Sequence, residues 1–456
     1  MATPFDLLRP VALAASEVAM VDTNARYSRQ ELMGRAAGVA ARIAALSETR
    51  HGQRVIVSLD KGPDFFAGLV GCWMAGAIPV LLDPMVRTEL TDAVAMTEAS
   101  AAIVPLEKRS KLPDGVTGIV PDGDIADVFR EMSEIGDTDV VLYLFTSGST
   151  GKPTLVPKRF SELRVEIDFI SRLFNRPKRV SGLIPWCHIW GLLSSFFVPL
   201  RMGGVCDLRG GISARDVLSL VSSGDVDLVA AVPIYYQAMV RLMTAGGVSV
   251  VSSSCRFASS SAPLTPAIRR EFRRLTGCGI TDIYGSTEAG GIAYRHDDGP
   301  WIPEPHVEIR IDDDGMLDVR SPSVSFDTAD GFFRTGDLVR REGQGFVLLG
   351  RGDDVVKIGG RRIALGEIKT VIESMPGVSK VAVLTETISG AAHLIAVVEA
   401  DGDGPTASAV KTHVRSRLAD HKVPRVVRFV DTLPMMPSGK LDRQRLIADL
   451  ENKESR

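Results

Sequence analysis

The chain is poor in cysteine and in aromatic residues, and neither sign of charge is in excess. Its five cysteines, Cys72, Cys187, Cys206, Cys255 and Cys278, are scattered over 456 residues. No Cys-x-x-Cys pair occurs and no histidine stands at zinc spacing, which excludes zinc fingers and a disulfide framework. Such thiols read as reduced and buried, in a cytoplasmic protein. Cys187, although next to His188, reads as a small apolar filler rather than a nucleophile. The net charge of −3 leaves no basic footprint for nucleic acid. No apolar run reaches the length of a membrane span. The stretch Pro10 to Ala15 is short, follows Asp6 and stops before Glu17, so it reads as the start of the folded chain rather than a signal segment. No internal repeat is found. With 45% hydrophobic and 24% charged residues the composition is that of a soluble globular protein, and the length allows more than one domain.

What the chain does carry is centred on Leu142 to Pro153. The apolar run Val140 to Phe145 has the length and bounding signals of a buried strand. It runs straight into Thr146, Ser147, Gly148, Ser149, Thr150, Gly151 and Lys152. Such a loop suits polyphosphate: glycine lets backbone N–H groups approach, hydroxyls donate, and lysine adds charge. It is not a Walker A loop, because Gly148 and Gly151 are too close together and Pro153 stands where a hydroxyl should bind magnesium. Around it the punctuation is β-α-β. A helix is expected from Ser28 to Leu46 with Ser28 as N-cap, a strand from Arg54, a helix from Asp64 to Ala75 closed by Gly76, and a strand from Ala77 to Leu82. This pattern argues for parallel sheets covered by helices. Lys108 to Gly136 reads as polar loop. Further strands are expected at Arg179 to Ile184, Asp227 to Val232 and Ile280 to Tyr284, with a helix from Thr265 opened by Pro266. Short strands between Asp/Gly turns from Gly299 to Leu349 read as a small antiparallel barrel or sheet.

Four more motifs follow in order: Tyr284-Gly285-Ser286-Thr287-Glu288, Arg334-Thr335-Gly336-Asp337, Gly350-Arg351-Gly352-Asp353-Asp354 and Pro437-Ser438-Gly439-Lys440. In this order and spacing the chain resembles the adenylate-forming superfamily, in its branch of acyl-CoA synthetases and other AMP-dependent acid–thiol ligases, over nearly its whole length. The resemblance implies an α/β fold: a large N-terminal domain of parallel-sheet α/β subdomains plus a small β-barrel over residues 1–352, then a small mobile α+β domain over 353–456. It implies ATP, Mg2+ and either coenzyme A or the phosphopantetheine of a carrier protein as cofactors, and a small-molecule carboxylic acid as substrate.

The resemblance also assigns roles. Thr146 to Lys152 would hold phosphates. Ser261, Ala262 and Pro263 would lie against the adenine and Tyr284 would stack on it, within the Gly285–Ser286 turn. Thr287 would bond the α-phosphate and Glu288 would hold the metal. Asp337 would take the ribose hydroxyls with help from Arg351. Lys440 would bridge the carboxylate and phosphate in adenylation. Asp353 would be the hinge that then brings in Lys357, Gly359, Gly360 and Arg362 for thioester formation. His188, in Pro185-Trp186-Cys187-His188-Ile189-Trp190-Gly191, would line the acid pocket, with the apolar run Gly191 to Leu200 as core and as one pocket wall. No aspartate stands beside His188, which favours an acid without an α-amino group. Thr154 stands where many relatives have a second lysine, with Lys158 as the candidate to compensate. The run Thr287 to Ala293 resembles ligases of bacterial polyketide-like and aryl-polyene pathways, in which an acyl carrier protein can be the acceptor. The expected function is an acid–thiol ligase for a fatty or aryl acid. The competing readings are a stand-alone amino-acid adenylation enzyme and a catalytically inactive nucleotide-binding module.

Overall fold

A computed structural model describes the chain apart from residues 1–2, 9–16, 47–51, 85–88, 127–133, 147–153, 212, 247–253, 359–360, 389–390, 401–403, 436–440 and 455–456. The segment Pro10 to Ala15 therefore lies outside the described residues. Two large sheets dominate. One has six strands in the spatial order Thr117–Ile119, Ala101–Ile103, Arg54–Val57, Ile78–Leu81, Val140–Thr146 and Thr154–Arg159. Its first five are parallel and the last runs antiparallel to its neighbour. The other has nine strands and is parallel through Ile280–Ser286, Arg256–Ser259, Leu228–Ala231, Arg179–Gly182, Val205–Asp207 and Val18–Val21.

The expected helices form where the caps placed them. Ser28 caps Arg29–Ala44 by accepting from the Glu31 amide, and Thr265 caps Pro266–Thr276, which ends at Gly277 with φ of +72°. The helix Pro63–Met74 is buried without a break from Phe65 to Met74. A helix apolar on every side belongs inside. It packs on Arg29–Ala44, and the surrounding core takes side chains from both large sheets, among them Val57 and Leu142 from one and Met20 and Val180 from the other.

Glu308–Ile311, Met316–Arg320, Phe333–Glu342 and Gly345–Arg351 form the expected small antiparallel element, here a four-stranded sheet. Beyond it come the hairpin Val355–Ile358/Arg361–Ala364 and the sheet Val378–Ile388, Ala391–Ala400, Val426–Val430, backed by Leu365–Glu373 and Ala407–Arg415. Several strands depart from the sequence reading, two of them in the six-stranded sheet. Thr117–Ile119 falls inside the stretch expected to be loop, and Thr154–Arg159 had no strand signal. Both lie at sheet edges, where pairing to a formed neighbour outweighs weak local preference. The second carries Pro157, a residue tolerated at an edge strand.

Candidate active site

Parallel strands present their carboxyl ends on one side, where ligands of α/β sheets gather. Here the ends of two sheets meet. Asp83 follows the strand Ile78–Leu81 of the six-stranded sheet and His188 follows Arg179–Gly182 of the nine-stranded one, yet Asp83 Oδ2 lies 3.3 Å from His188 Nε2. The phosphate-loop candidates leave from the strand beside Asp83, because Val140–Thr146 pairs with Ile78–Leu81. Thr146 ends that strand. Ser147, Gly148, Ser149, Thr150, Gly151 and Lys152 lie outside the described residues, as do Gly359, Gly360 and Lys440. Asp353, Lys357 and Arg362 are described in backbone only. Asp353 sits in a short 3-10 turn, and Lys357 faces Arg362 across the hairpin.

The nucleotide-end candidates converge. The Tyr284 hydroxyl donates to Asp337 Oδ2, and Arg351 Nη1 lies 3.3 Å from Asp337 Oδ1 and 3.1 Å from the Thr335 carbonyl. The pairing follows from register, because Asp337 and Arg351 are cross-strand partners. Gly336, with φ of +77°, leaves room for the guanidinium: a Cβ there would stand 2.8 Å from Arg351 Nη2. Trp301 and Phe346 hold the Tyr284 ring from behind, with centroids at 5.5 and 6.0 Å. Burial, with the Asp337 charge second, pushes the Tyr284 hydroxyl well above the usual phenol range, so it stays a donor. A carboxylate has about four acceptor sites, so a group such as Asp337 can serve several donors at once. Tyr284→Phe is expected to raise the KM for ATP about tenfold or more while kcat changes less, since a hydrogen bond to a charged group is worth about 1.5–3 kcal/mol. An unchanged KM would show that Asp337 needs no such orientation.

The small-residue loop is anchored by Ser260, whose hydroxyl donates to the Ile283 carbonyl at 2.8 Å. Ser261 takes a left-handed φ of +74°, while Ala262 and Pro263 lead on towards the helix cap. After Gly285, the Ser286 hydroxyl accepts from the Ala289 amide at 3.1 Å, which turns the chain so that Thr287 and Glu288 are half-buried. The Glu288 carbonyl accepts from the Ser325 amide at 2.8 Å.

Behind that contact lies a buried ionic network the sequence did not reveal. Lys158 Nζ donates to Ser325 Oγ at 2.7 Å and sits 3.6 Å from Glu162 Oε2; Ser325 Oγ donates to Glu162 at 2.9 Å, and Arg159 Nη1 reaches Glu162 Oε1 at 3.1 Å. Lys158 and Glu162 are each only 2% exposed. Lys158 therefore does not stand in for a missing phosphate-loop lysine. Its ammonium faces inward because its strand, antiparallel to Val140–Thr146, turns that position to the core.

The reading at His188 also needs correction. No acid is near it in sequence, but Asp83 supplies a carboxylate from the other sheet. The signal available was an aspartate just past a parallel strand neighbouring the phosphate-loop strand. The run Gly191 to Leu200 is core: Leu192, Phe196, Phe197 and Val198 are fully buried, and Trp186, Phe65 and Phe196 pack edge to face. A π-helical stretch, Leu192–Phe197, interrupts the helix there. Ser194 and Ser195 bond back to the carbonyls of Trp190 and Gly191 at 2.5 and 2.9 Å, a habit that bends helices. Cys187 is buried in the same core, as the filler reading expected.

A family model described as AMP-binding enzyme matches residues 9–324, and one described as AMP-binding enzyme C-terminal domain matches 367–440. The chain belongs to the AMP-binding enzyme family. It is an ATP-dependent, AMP-forming ligase that adenylates a carboxylic acid, within the adenylate-forming superfamily. It is 28% identical to 2,3-dihydroxybenzoate-AMP ligase of Bacillus subtilis, over 97% of this chain and 92% of that one. It is 27% identical to a medium/long-chain-fatty-acid–[acyl-carrier-protein] ligase of Mycobacterium tuberculosis, over 92% of this chain and 89% of that one. Its fold superposes on ATP-bound MatB from Rhodopseudomonas palustris with a TM-score of 0.85 and 25% identity, covering 99% of this chain and 100% of that one. As in sequence, no described helix is long and apolar enough to cross a membrane.

Proposed function

We propose that this AMP-binding enzyme activates a fatty or aryl carboxylic acid and passes the acyl group to a phosphopantetheine thiol, of coenzyme A or an acyl carrier protein. A carboxylate oxygen of the acid attacks the α-phosphorus of ATP, the bond to the β-phosphate oxygen breaks, and pyrophosphate leaves with the electron pair. The thiolate then attacks the acyl carbon and AMP departs. The observation that carries this reading is the convergence of Tyr284, Asp337 and Arg351 into one polar edge beside the Thr287–Glu288 turn, in a chain similar to both an aryl and a fatty acid ligase.

The residues present fit a nucleotide and its metal. Asp337 and Arg351 would hold the ribose, Tyr284 with Ser261, Ala262 and Pro263 the adenine, Thr287 the α-phosphate, and Thr146 to Lys152 the remaining phosphates. Glu288 would hold Mg2+, a hard carboxylate suited to a hard cation that would offset charge on the phosphates. The chain from 353 onward would act as the mobile domain. Lys440 serves the first step, and Asp353 is the hinge that presents Lys357, Gly359, Gly360 and Arg362 for the second, one module in two geometries.

Asp83 favours a second reading. Its carboxylate beside His188 could balance a substrate ammonium, as an amino-acid adenylation enzyme requires. The same experiment separates the two: ATP–pyrophosphate exchange over fatty, aryl and amino acids. Exchange with one fatty or aryl acid supports the proposal. Exchange with amino acids alone replaces it by the second reading, and no exchange with any acid overturns both.

A further inference from the structure

Glu166, Glu304 and His306 meet outside the site just described. Glu166 comes from the helix Phe160–Leu173, and the other two follow the strand Ile302–Pro303. Glu304 Oε2 lies 3.5 Å and Glu166 Oε1 3.8 Å from His306 Nε2, and the three donor atoms all fall within 4.8 Å of one another. Glu166 and Glu304 are 4% and 1% exposed. Both lean on the glycine backbone of the strand Gly290–His296: the Gly291 amide donates to Glu166 Oε2 at 3.0 Å, and a Cβ on Gly291 would stand 2.3 Å from Glu304 Oε1. Among the described residues, Glu166 Oε1, Glu304 Oε2 and His306 Nε2 are buried with no hydrogen-bond partner. Three unpartnered ligand atoms thus point at one spot.

Two buried carboxylates without a counter-charge are costly. Lys158 is close enough to feel Glu166, but its ammonium is bonded to Ser325 and paired with Glu162. We propose that Glu166, Glu304 and His306 form a binding site for a divalent transition-metal cation of the zinc or manganese class, distinct from the Mg2+ position at Glu288. Two carboxylates and a neutral imidazole carry the charge that a dication cancels, and an O/O/N donor set suits these ions. An ion about 2.1 Å from each of two ligands holds them about 3.4–3.8 Å apart at tetrahedral to wider angles. The observed 3.5 and 3.8 Å fall at that spacing. The His306 side chain is 18% exposed, so the cluster lies close to the surface. The ion would tie the helix Phe160–Leu173 to the segment that follows the strand Ile302–Pro303.

The test uses the full chain, stripped with a chelator, then equilibrated with Zn2+ or Mn2+ alone, without ATP, and passed through gel filtration. The expected result is one ion retained per chain and a higher melting temperature than the stripped protein. Glu304→Gln and His306→Gln should each weaken binding at least as much as the about 10–100-fold typical of losing even an outer-shell partner. Glu304→Gln keeps the side-chain volume and removes a buried charge, and the wild-type stoichiometry does not depend on any variant folding. The second candidate cluster, Asp83, Cys187 and His188, is controlled by His188→Gln, which should retain the ion. No retained ion and no melting shift would overturn the proposal, leaving the pair to share a proton. An ion that survives both Glu304→Gln and His306→Gln but is lost in His188→Gln would overturn it as well.

Discussion

Lys440→Ala is expected to lower acid-dependent ATP–pyrophosphate exchange by about 100–1,000-fold, the range found when one group that stabilises developing charge is removed. Adenylation brings a carboxylate against a triphosphate. At about 4 Å two unit charges repel by about 4 kcal/mol at an effective dielectric near 20, and a fixed ammonium between them reverses that sign. Phosphoryl-type transfer depends on such clamps and on positioning rather than on a protein nucleophile. Lys440 lies outside the described residues, but Met435 and Leu441 on either side of its segment pair with each other. The variant should still form thioester from supplied acyl-AMP and thiol, because Lys440 is assigned to the first step alone. Survival of exchange would remove Lys440 from that role, and equal loss of both steps would place its effect on folding or on nucleotide binding.

Glu162→Gln is expected to destabilise the enzyme by about 3–5 kcal/mol, the usual cost of removing one partner of a buried ion pair. Lys158 would then hold a buried ammonium with Ser325 as its near neighbour, and Arg159 would lose its contact with Glu162 as well. The melting temperature should fall by several degrees. Burial already pushes the Lys158 ammonium below its ordinary pKa. A base whose folded pKa is lowered binds fewer protons folded than unfolded between that lowered value and about 10.4, so stability rises with pH across that window. Glu162 holds that pKa up, so its loss lowers it further, and the Glu162→Gln deficit should shrink from neutral pH towards pH 10. Adding Lys158→Met should restore most of the loss, since a buried pair replaced by apolar groups is often close to neutral. A double variant no better than the single one would show that the loss comes from packing rather than from an unpaired charge. Because Ser325 also donates its amide to the Glu288 carbonyl, the single variant should weaken adenylation besides.

The sequence alone determined the local and periodic features. Ser28 and Thr265 cap helices whatever packs on them, because a cap is closed by an amide three residues away. The apolar run Val140 to Phe145 was legible as a buried strand and Ile280 to Tyr284 as a strand, and the five motifs placed the family, because their residue types answer to phosphate, ribose and metal rather than to the core. Tertiary structure alone decided which carboxylates meet which cations and rings. Asp83 and His188 are 105 positions apart (188 − 83) and on different sheets, and only the meeting of two sets of strand ends brings them within 3.3 Å. Lys158 looked like a loop cation in sequence, but its register against Val140–Thr146 turns it inward to Glu162 and Ser325. Glu166, Glu304 and His306 carry no motif, since their proximity depends on a helix lying across the glycines of a distant strand. Caps and periodicity act within a turn or two of the chain. Charge pairing inside the protein is set by distances through space, which spacing along the sequence does not encode.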